Sequence, residues 1–202
     1  MYLRARTKEQ FDERKKEILD AMDSLYLRKE LRSIFLKDIS ERTHISRTAI
    51  YFYYKSKEEI LLDSLYNHFV ELDDGLEELA AKDVEKDEII DSIARLLEDN
   101  VLILKIMSTN LEDIERSTTL ENLIVLKTEL KRFQEVFKTL ARKCKATNDE
   151  DVILASFITM MYGYYPIAYP IDIQREAMRK TGTELHLSLR DIITSSLRIL
   201  MK

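Results

Sequence analysis

Arg47, Thr48, Tyr51 and Phe52, with Tyr53 at their edge, fall on one side of a short helix that the sequence predicts over Arg47–Tyr54. A guanidinium can hold guanine through two hydrogen bonds, and a threonine or tyrosine side chain can meet a base edge or the thymine methyl. Four aromatics in succession, Tyr51 to Tyr54, are unusual for a helix that merely faces water. An exposed face of cation, hydroxyl and aromatic rings suits a groove of DNA better than plain solvation. Arg47 is the best base-reading candidate, with Thr48 and Tyr51 as further base contacts and Phe52 on the same face.

Other chemistry is thinly supplied. His44, His68 and His186 are scattered, without metal-ligand spacing. Cys144 lies among Arg142, Lys143 and Lys145, cations that would lower its pKa and make it redox-sensitive, although a single thiol near a helix end is more often incidental. Asp73-Asp74-Gly75-Leu76-Glu77 is faintly similar to a Mg²⁺-diphosphate motif of prenyl-transferring helical enzymes. It stands alone, and a solvated acidic face explains it more simply. Three glycines in all could hardly build a phosphate loop. The expectation is therefore a binding protein with no cofactor, no metal and no catalytic residues.

The candidate face needs a frame. Leu36, Ile39 and Thr43 recur at helical spacing, and His44-Ile45-Ser46 interrupts them, with Ile45 as the apolar plug of a turn. Ser46 is a good N-cap for the next helix, whose Ile50 and Tyr54 point back to the core. Capping-box spacing at Ser56…Glu59 opens a long helix with Leu61, Leu65, Leu72, Leu76 and Leu79 as its stripe. Thr7…Gln10 opens a first helix with Phe11, Ile18, Met22 and Leu25 as its stripe. The same spacing recurs at Thr118…Glu121, Thr147…Glu150 and Thr181…Glu184. After a break at Lys82–Lys86, helices are expected over Asp87–Ser108 (bent near Asn100), Thr119–Lys145 and Asp149–Tyr165. A Pro166–Pro170 corner, Asp172–Lys180, a Gly182 break and Thr183–Met201 follow. Nothing alternates with period two, so the fold class is all-α.

The stretch from Leu36 to Leu62, LKDISERTHISRTAIYFYYKSKEEILL, resembles the DNA-binding signature of the tetracycline-repressor-like (TetR/AcrR) transcription regulators. There a helix-turn-helix is followed by aromatics and then Lys-Ser-Lys-Glu-Glu, opening a linking helix. The resemblance is specific over about residues 11–66 and architectural beyond. It implies an N-terminal helix-turn-helix domain, 1–57, and a helical effector-binding and dimerisation domain, 58–202. It also implies a homodimeric repressor released from its operator by a small-molecule effector. Lys37, Ser46, Tyr53 and Lys57 correspond to backbone-contact positions of the family. Two positions depart from the pattern: the family usually has Gly where His44 stands, and often a small residue or Pro at Thr48. Histidine tolerates left-handed backbone better than most non-glycine residues.

Charge agrees with this division. The chain of 202 residues has a net charge of −5, but residues 1–66 carry 14 basic and 12 acidic side chains against 18 and 25 in the remainder. Within 31–57, Arg32, Lys37, Arg42, Arg47, Lys55 and Lys57 face only Asp38 and Glu41. Basic charge is thus concentrated where phosphate contact requires it. Val152 to Ile171, the longest charge-free stretch, holds two prolines and a glycine and makes a poor bilayer span, so no membrane partner is expected. MYLRARTKEQ has no apolar core of a secretory signal, and one cysteine permits no intrachain disulfide. Both fit a cytoplasmic protein.

Two further features concern the second domain. Val152, Ala155, Ile158, Thr159 and Tyr162 form one stripe, and Leu185, Leu189, Ile192, Ile193, Ser196, Ile199 and Leu200 another. They suit either a four-helix bundle made from two chains or the chain's own core. Met160 to Pro170 holds four tyrosines and two methionines, types that suit an apolar pocket with few polar fixing points or, equally, a packed corner. On the pocket reading Met161, Tyr165 and Tyr169, with Met107, Phe133 and Phe137 from neighbouring helices, border the effector. The competing function is a helical protein-interaction module that docks a protein partner on Tyr51–Tyr54.

Overall fold

The computed structural model describes residues 7–202; residues 1–6, on which part of the leader-peptide reading falls, lie outside the described residues. Every regular element among the described residues is helical: α1 (Lys8–Tyr26), α2 (Leu36–Thr43), α3 (Arg47–Ile50), α4 (Lys57–Ala81), α5 (Lys86–Asp99), α6 (Val101–Thr109), α7 (Leu111–Arg116), α8 (Leu120–Lys143), α9 (Glu150–Ala168), α10 (Asp172–Thr181) and α11 (Leu189–Leu200), with a 3-10 turn at Leu31–Ser33. The all-α expectation is met. No single helix among the described residues is long and apolar enough to cross a membrane.

Contacts divide the chain into two compact units, one of residues up to 67 with 110–126, the other of 68–109 with 127–202. In the first, Ile18, Met22 and Tyr26 of α1 are fully buried together with Ile34, Ile39, Ile50, Ile60 and Leu61. Apolar side chains at threes and fours put one stripe of each helix inside, which is why short α2 and α3 hold their helical form. Thr7 caps α1, its Oγ1 accepting from the Gln10 amide at 3.2 Å. The first turns of α4 belong to this unit because Ile60, Leu61 and Leu65 close its core, so the contact boundary falls at residue 67 and not at 57.

The second unit has a core of aromatic rings. Phe69, Phe133, Phe137, Phe157 and Tyr164 follow one another at centroid spacings of 5.8, 5.8, 4.5 and 6.2 Å. At Gly75 α4 and α5 approach closely, since a Cβ there would lie 2.5 Å from Leu96 Cδ2. From Ile171 to Ser188 no residue is buried, and α10 with its flanking segments carries exposed Ile171, Ile173, Leu185 and Leu187.

Several local expectations are corrected. Thr119, not Thr118, caps α8, with its Oγ1 accepting from the Asn122 amide. Asp149, not Thr147, caps α9, and Thr147 bonds the Lys202 carbonyl oxygen instead. Thr181 ends α10, and Ser188 with Asp191 forms the capping box that opens α11 six residues later than the sequence placed it. Helix α9 runs through Pro166 to Ala168, because a proline in the last turn forfeits only one main-chain bond. A short α7 was not expected at all.

Candidate nucleic-acid interface

The turn between α2 and α3 is built locally. His44 takes the left-handed conformation (φ 55°, ψ 12°), as the sequence led us to expect. The Thr43 hydroxyl donates to the Ile39 carbonyl oxygen at 2.9 Å and accepts from the Ile45 amide at 3.2 Å. Ile45, 3% exposed, plugs the turn beneath them. Ser46 Oγ then accepts from the Ala49 amide at 3.2 Å and caps α3. A side chain committed to its own helix end contributes here by fixing the entry angle of α3.

Regular α3 stops at Ile50, shorter than the helix expected over Arg47–Tyr54. The chain continues as a tightened turn, with the Tyr53 and Tyr54 amides donating to the Ile50 carbonyl oxygen at 2.9 and 3.1 Å. Ile50 and Tyr54 face inward as expected. Tyr54 donates its hydroxyl to Asp63 at 2.8 Å, and Lys15 pairs with the same carboxylate. Burial, reinforced by Asp63, drives the Tyr54 phenol far above its ordinary pKa, so it stays a neutral donor.

On the other side, Tyr51 and Phe52 are 59% and 62% exposed, and Arg47 and Thr48 are exposed beside them. Among the described residues no acceptor of the chain holds the Arg47 guanidinium. Lys37, Arg47, Thr48, Tyr51 and Lys57 line one open groove of about 530 Å³, whose walls also include Phe35, Lys55 and Ser56. Five of the eight sequence-derived contact residues therefore meet in one place. Of the other three, Ser46 is the helix cap and Phe52 is exposed nearby. Tyr53 is half-buried against α1, its ring 4.7 Å from that of Phe11, which uses its face for packing.

Lys57 differs from its expected role. Its ammonium donates to the carbonyl oxygens of Leu31 (2.7 Å) and Ile34 (3.0 Å) and lies 5.7 Å above the Phe35 ring. It fastens the start of α4 to the 3-10 turn, leaving one of its three donors for anything else. Phe35, missed by the sequence reading, is 64% exposed on the groove wall. Its amide donates to Asp38 at 2.8 Å, and that bond is the first cause of the lowered Asp38 pKa. Lys55 was also missed as a wall residue. Its amide donates to Glu59, and Ser56 Oγ accepts from the Glu59 amide, so Ser56 caps α4 as expected while the reciprocal bond to Glu59 comes from Lys55.

The pocket residues separate into two groups. Met107, Phe133, Phe137 and Met161 are at most 8% exposed, with Phe133 and Phe137 inside the row of aromatic rings. Tyr165 and Tyr169 remain accessible, rings 5.0 Å apart, with the Lys105 ammonium 5.7 Å over Tyr165. Burial raises the Cys144 thiol pKa and outweighs Lys86, so the expected activation by neighbouring cations does not occur. His68 bonds Asn100 at 3.0 Å.

Comparison with known proteins points the same way. Residues 18–63 match the family described as bacterial regulatory proteins, tetR family. The HTH-type transcriptional regulator YfiR of Bacillus subtilis (strain 168) is 34% identical over 95 residues, a match spanning 46% of this chain and 43% of that protein. A TetR/AcrR regulator from Thermobifida fusca superposes with a TM-score of 0.65 at 19% identity, covering 94% of this chain and 97% of the other. FadR from Bacillus subtilis, solved in complex with stearoyl-CoA, gives 0.59 at 17% identity, covering 93% and 97%. These two likenesses establish the fold over nearly the whole chain, and the family match concerns residues 18–63. The chain is thus similar to the tetR family of bacterial regulatory proteins over its helix-turn-helix unit, residues 18–63.

Proposed function

We propose that this chain is a homodimeric transcription regulator, a repressor rather than an enzyme, which lays α3 in the major groove of its operator. The observation that carries the reading is the groove itself. The exposed guanidinium of Arg47, the exposed Thr48 and Tyr51, and the ammonium of Lys37 converge on one exposed face, anchored from behind by Ile45, Ile50 and Tyr54. Base-edge readers and a phosphate-seeking cation on a fixed short helix are what major-groove recognition requires.

Pairing with a second copy is supported by the outward sides of α9 and α11. Val152, Tyr162 and Ile199 are 59%, 44% and 63% exposed, whereas Ile153, Phe157, Ile193 and Leu197 on the inward sides are buried. An apolar face beyond the chain's own core suits an isologous interface, and two recognition helices on one face of the duplex follow from two-fold symmetry. A small-molecule effector is proposed for the second unit, with Tyr165 and Tyr169 as the residues offered to it. Any such ligand must weaken DNA binding by the factor by which DNA weakens its own.

The test is selection of bound fragments from random DNA by the purified protein, followed by fluorescence anisotropy at two salt concentrations. Enrichment of a two-fold-related sequence, bound with a steep salt dependence, is expected. Equal binding of all sequences, or none, overturns the reading.

A further inference from the structure

The acidic run on α4 is not the solvated face that its composition suggests. Asp74 and Glu77 are accessible, but Asp73 is fully buried; no donor reaches its carboxyl oxygens among the described residues, and a proton on it bonds to Glu129. The groups that act on it are Glu129 and Arg132 of α8 and Glu77 of its own helix. From α5, packed on the same stretch at Gly75, the neighbour is the apolar Leu96. Arg132 would be its natural counter-ion. That guanidinium is instead directed at Asp74 (2.6 Å), Glu77 (2.7 Å) and Glu129 (3.1 Å).

A buried carboxylate with no donor and a second carboxylate beside it is strongly disfavoured as an anion. Burial first, and then Glu129, push Asp73 up to about 8, so at neutral pH it keeps its proton. Glu129, whose side chain is 12% exposed, is paired with Arg132 at 3.1 Å.

We propose that Asp73 and Glu129 form a proton-dependent latch between α4 and α8, closed while Asp73 is protonated and loosened when it ionises, through which alkaline pH weakens operator binding. Ionisation places two like charges face to face in the packing, with the nearest cation already occupied. Helix α4 runs without a break from Lys57, on the wall of the groove, to Asp73, four turns further on. The operator part of the proposal rests on the DNA-binding reading above.

The sign follows from linkage. Below pH about 3.9 Asp73 is protonated in both the folded and the unfolded chain and alters nothing. Between there and about 8 the unfolded chain releases this proton and the folded one retains it, so stability falls as pH rises. Above that range both forms are ionised and the loss levels off. Within the window each pH unit changes the folding equilibrium constant up to about tenfold through this one group.

The experiment compares the full-length protein with Asp73→Asn and Glu129→Gln. Urea unfolding across neutral and alkaline pH should give a wild-type to Asp73→Asn ratio of folding constants that drops about tenfold per pH unit up to the midpoint, then flattens. Glu129→Gln removes the facing charge and should move that midpoint to lower pH, a shift that simple loss of packing would not produce. Infrared difference spectra should contain a protonated-carboxyl band at neutral pH that Asp73→Asn lacks. Operator affinity of the wild type should fall across the same midpoint while that of Asp73→Asn does not. Parallel unfolding curves, or an unmoved midpoint in Glu129→Gln, overturn the latch. A common pH profile of operator affinity in wild type and Asp73→Asn overturns its control of DNA binding. Absence of operator binding at every pH would count against the DNA-binding reading and leave the unfolding comparison to decide the latch.

Discussion

The ammonium of Lys57 donates to the main-chain oxygen of Leu31 at 2.7 Å, across 26 residues of sequence, and to that of Ile34 beside it. A side chain that the signature assigns to phosphate is thus the clasp between the 3-10 turn and the start of α4. The Leu31 oxygen already accepts from the Ile34 amide at 3.0 Å, and the charged donor of Lys57 adds a second bond there and one to the Ile34 oxygen. The groove wall at Phe35 is positioned by the same clasp.

Lys57→Ala should therefore act on folding first. Loss of two charge-assisted bonds is expected to lower stability by about 1–3 kcal/mol in urea unfolding. Lys37→Ala, at an accessible ammonium, should leave stability nearly unchanged and make the salt slope of DNA binding shallower by about one unit per half-site. A stable Lys57→Ala protein with a reduced salt slope would return this lysine to the phosphate contacts.

Arg47→Ala tests base reading. It should cost about 1–3 kcal/mol on the selected operator and relax specificity at one position of each half-site. The check is a repeat of the fragment selection with the variant. Uniform weakening over all sequences would mean that Arg47 holds phosphate only.

What was legible in the sequence is what local physics decides. The Thr43–Ser46 turn, the left-handed His44 and the Ser56–Glu59 cap are each settled within four residues, and each stands where the pattern placed it. The leucine stripe of α4 was legible for the same reason. Cap spacings misled at Thr118, Thr147 and Thr181, because several hydroxyl or carboxyl residues lie close enough to compete and packing chooses among them. Asp73 was unreadable: its run looks like a charged surface, and only α8 bringing Glu129 and Arg132 against it makes the difference. The role of Lys57 and the burial of Phe133 and Phe137 depend on equally distant partners.

The aromatic core separates packing from ligand contact. Phe137→Ala, at a fully buried ring 4.5 Å from Phe157, should cost about 3–5 kcal/mol of stability. Tyr165→Ala, at a half-buried ring, should cost clearly less in the same unfolding measurement. It should change the response to any ligand that raises the melting temperature while sparing operator affinity without ligand. Equal destabilisation by both substitutions would place Tyr165 in the core.

Helix α11 offers the sharpest test of the dimer, because its two sides should answer a charge differently. Ile193 is fully buried with Leu189 and Leu197, so Ile193→Glu places an unpaired carboxylate in the chain's own core. It should cost on the order of 4 kcal/mol, enough to unfold many domains of this size. Ile199, 63% exposed in the single chain, has little core to lose. Ile199→Glu should keep the helical circular-dichroism signal and sediment as a monomer. Its operator affinity should collapse, because one half-site forfeits the joint binding of two. Sedimentation velocity at micromolar concentration, run beside the anisotropy titration, reads both effects. A wild-type protein that sediments as a monomer, or an Ile199→Glu protein that stays dimeric and binds normally, would remove this face of α11 from the interface.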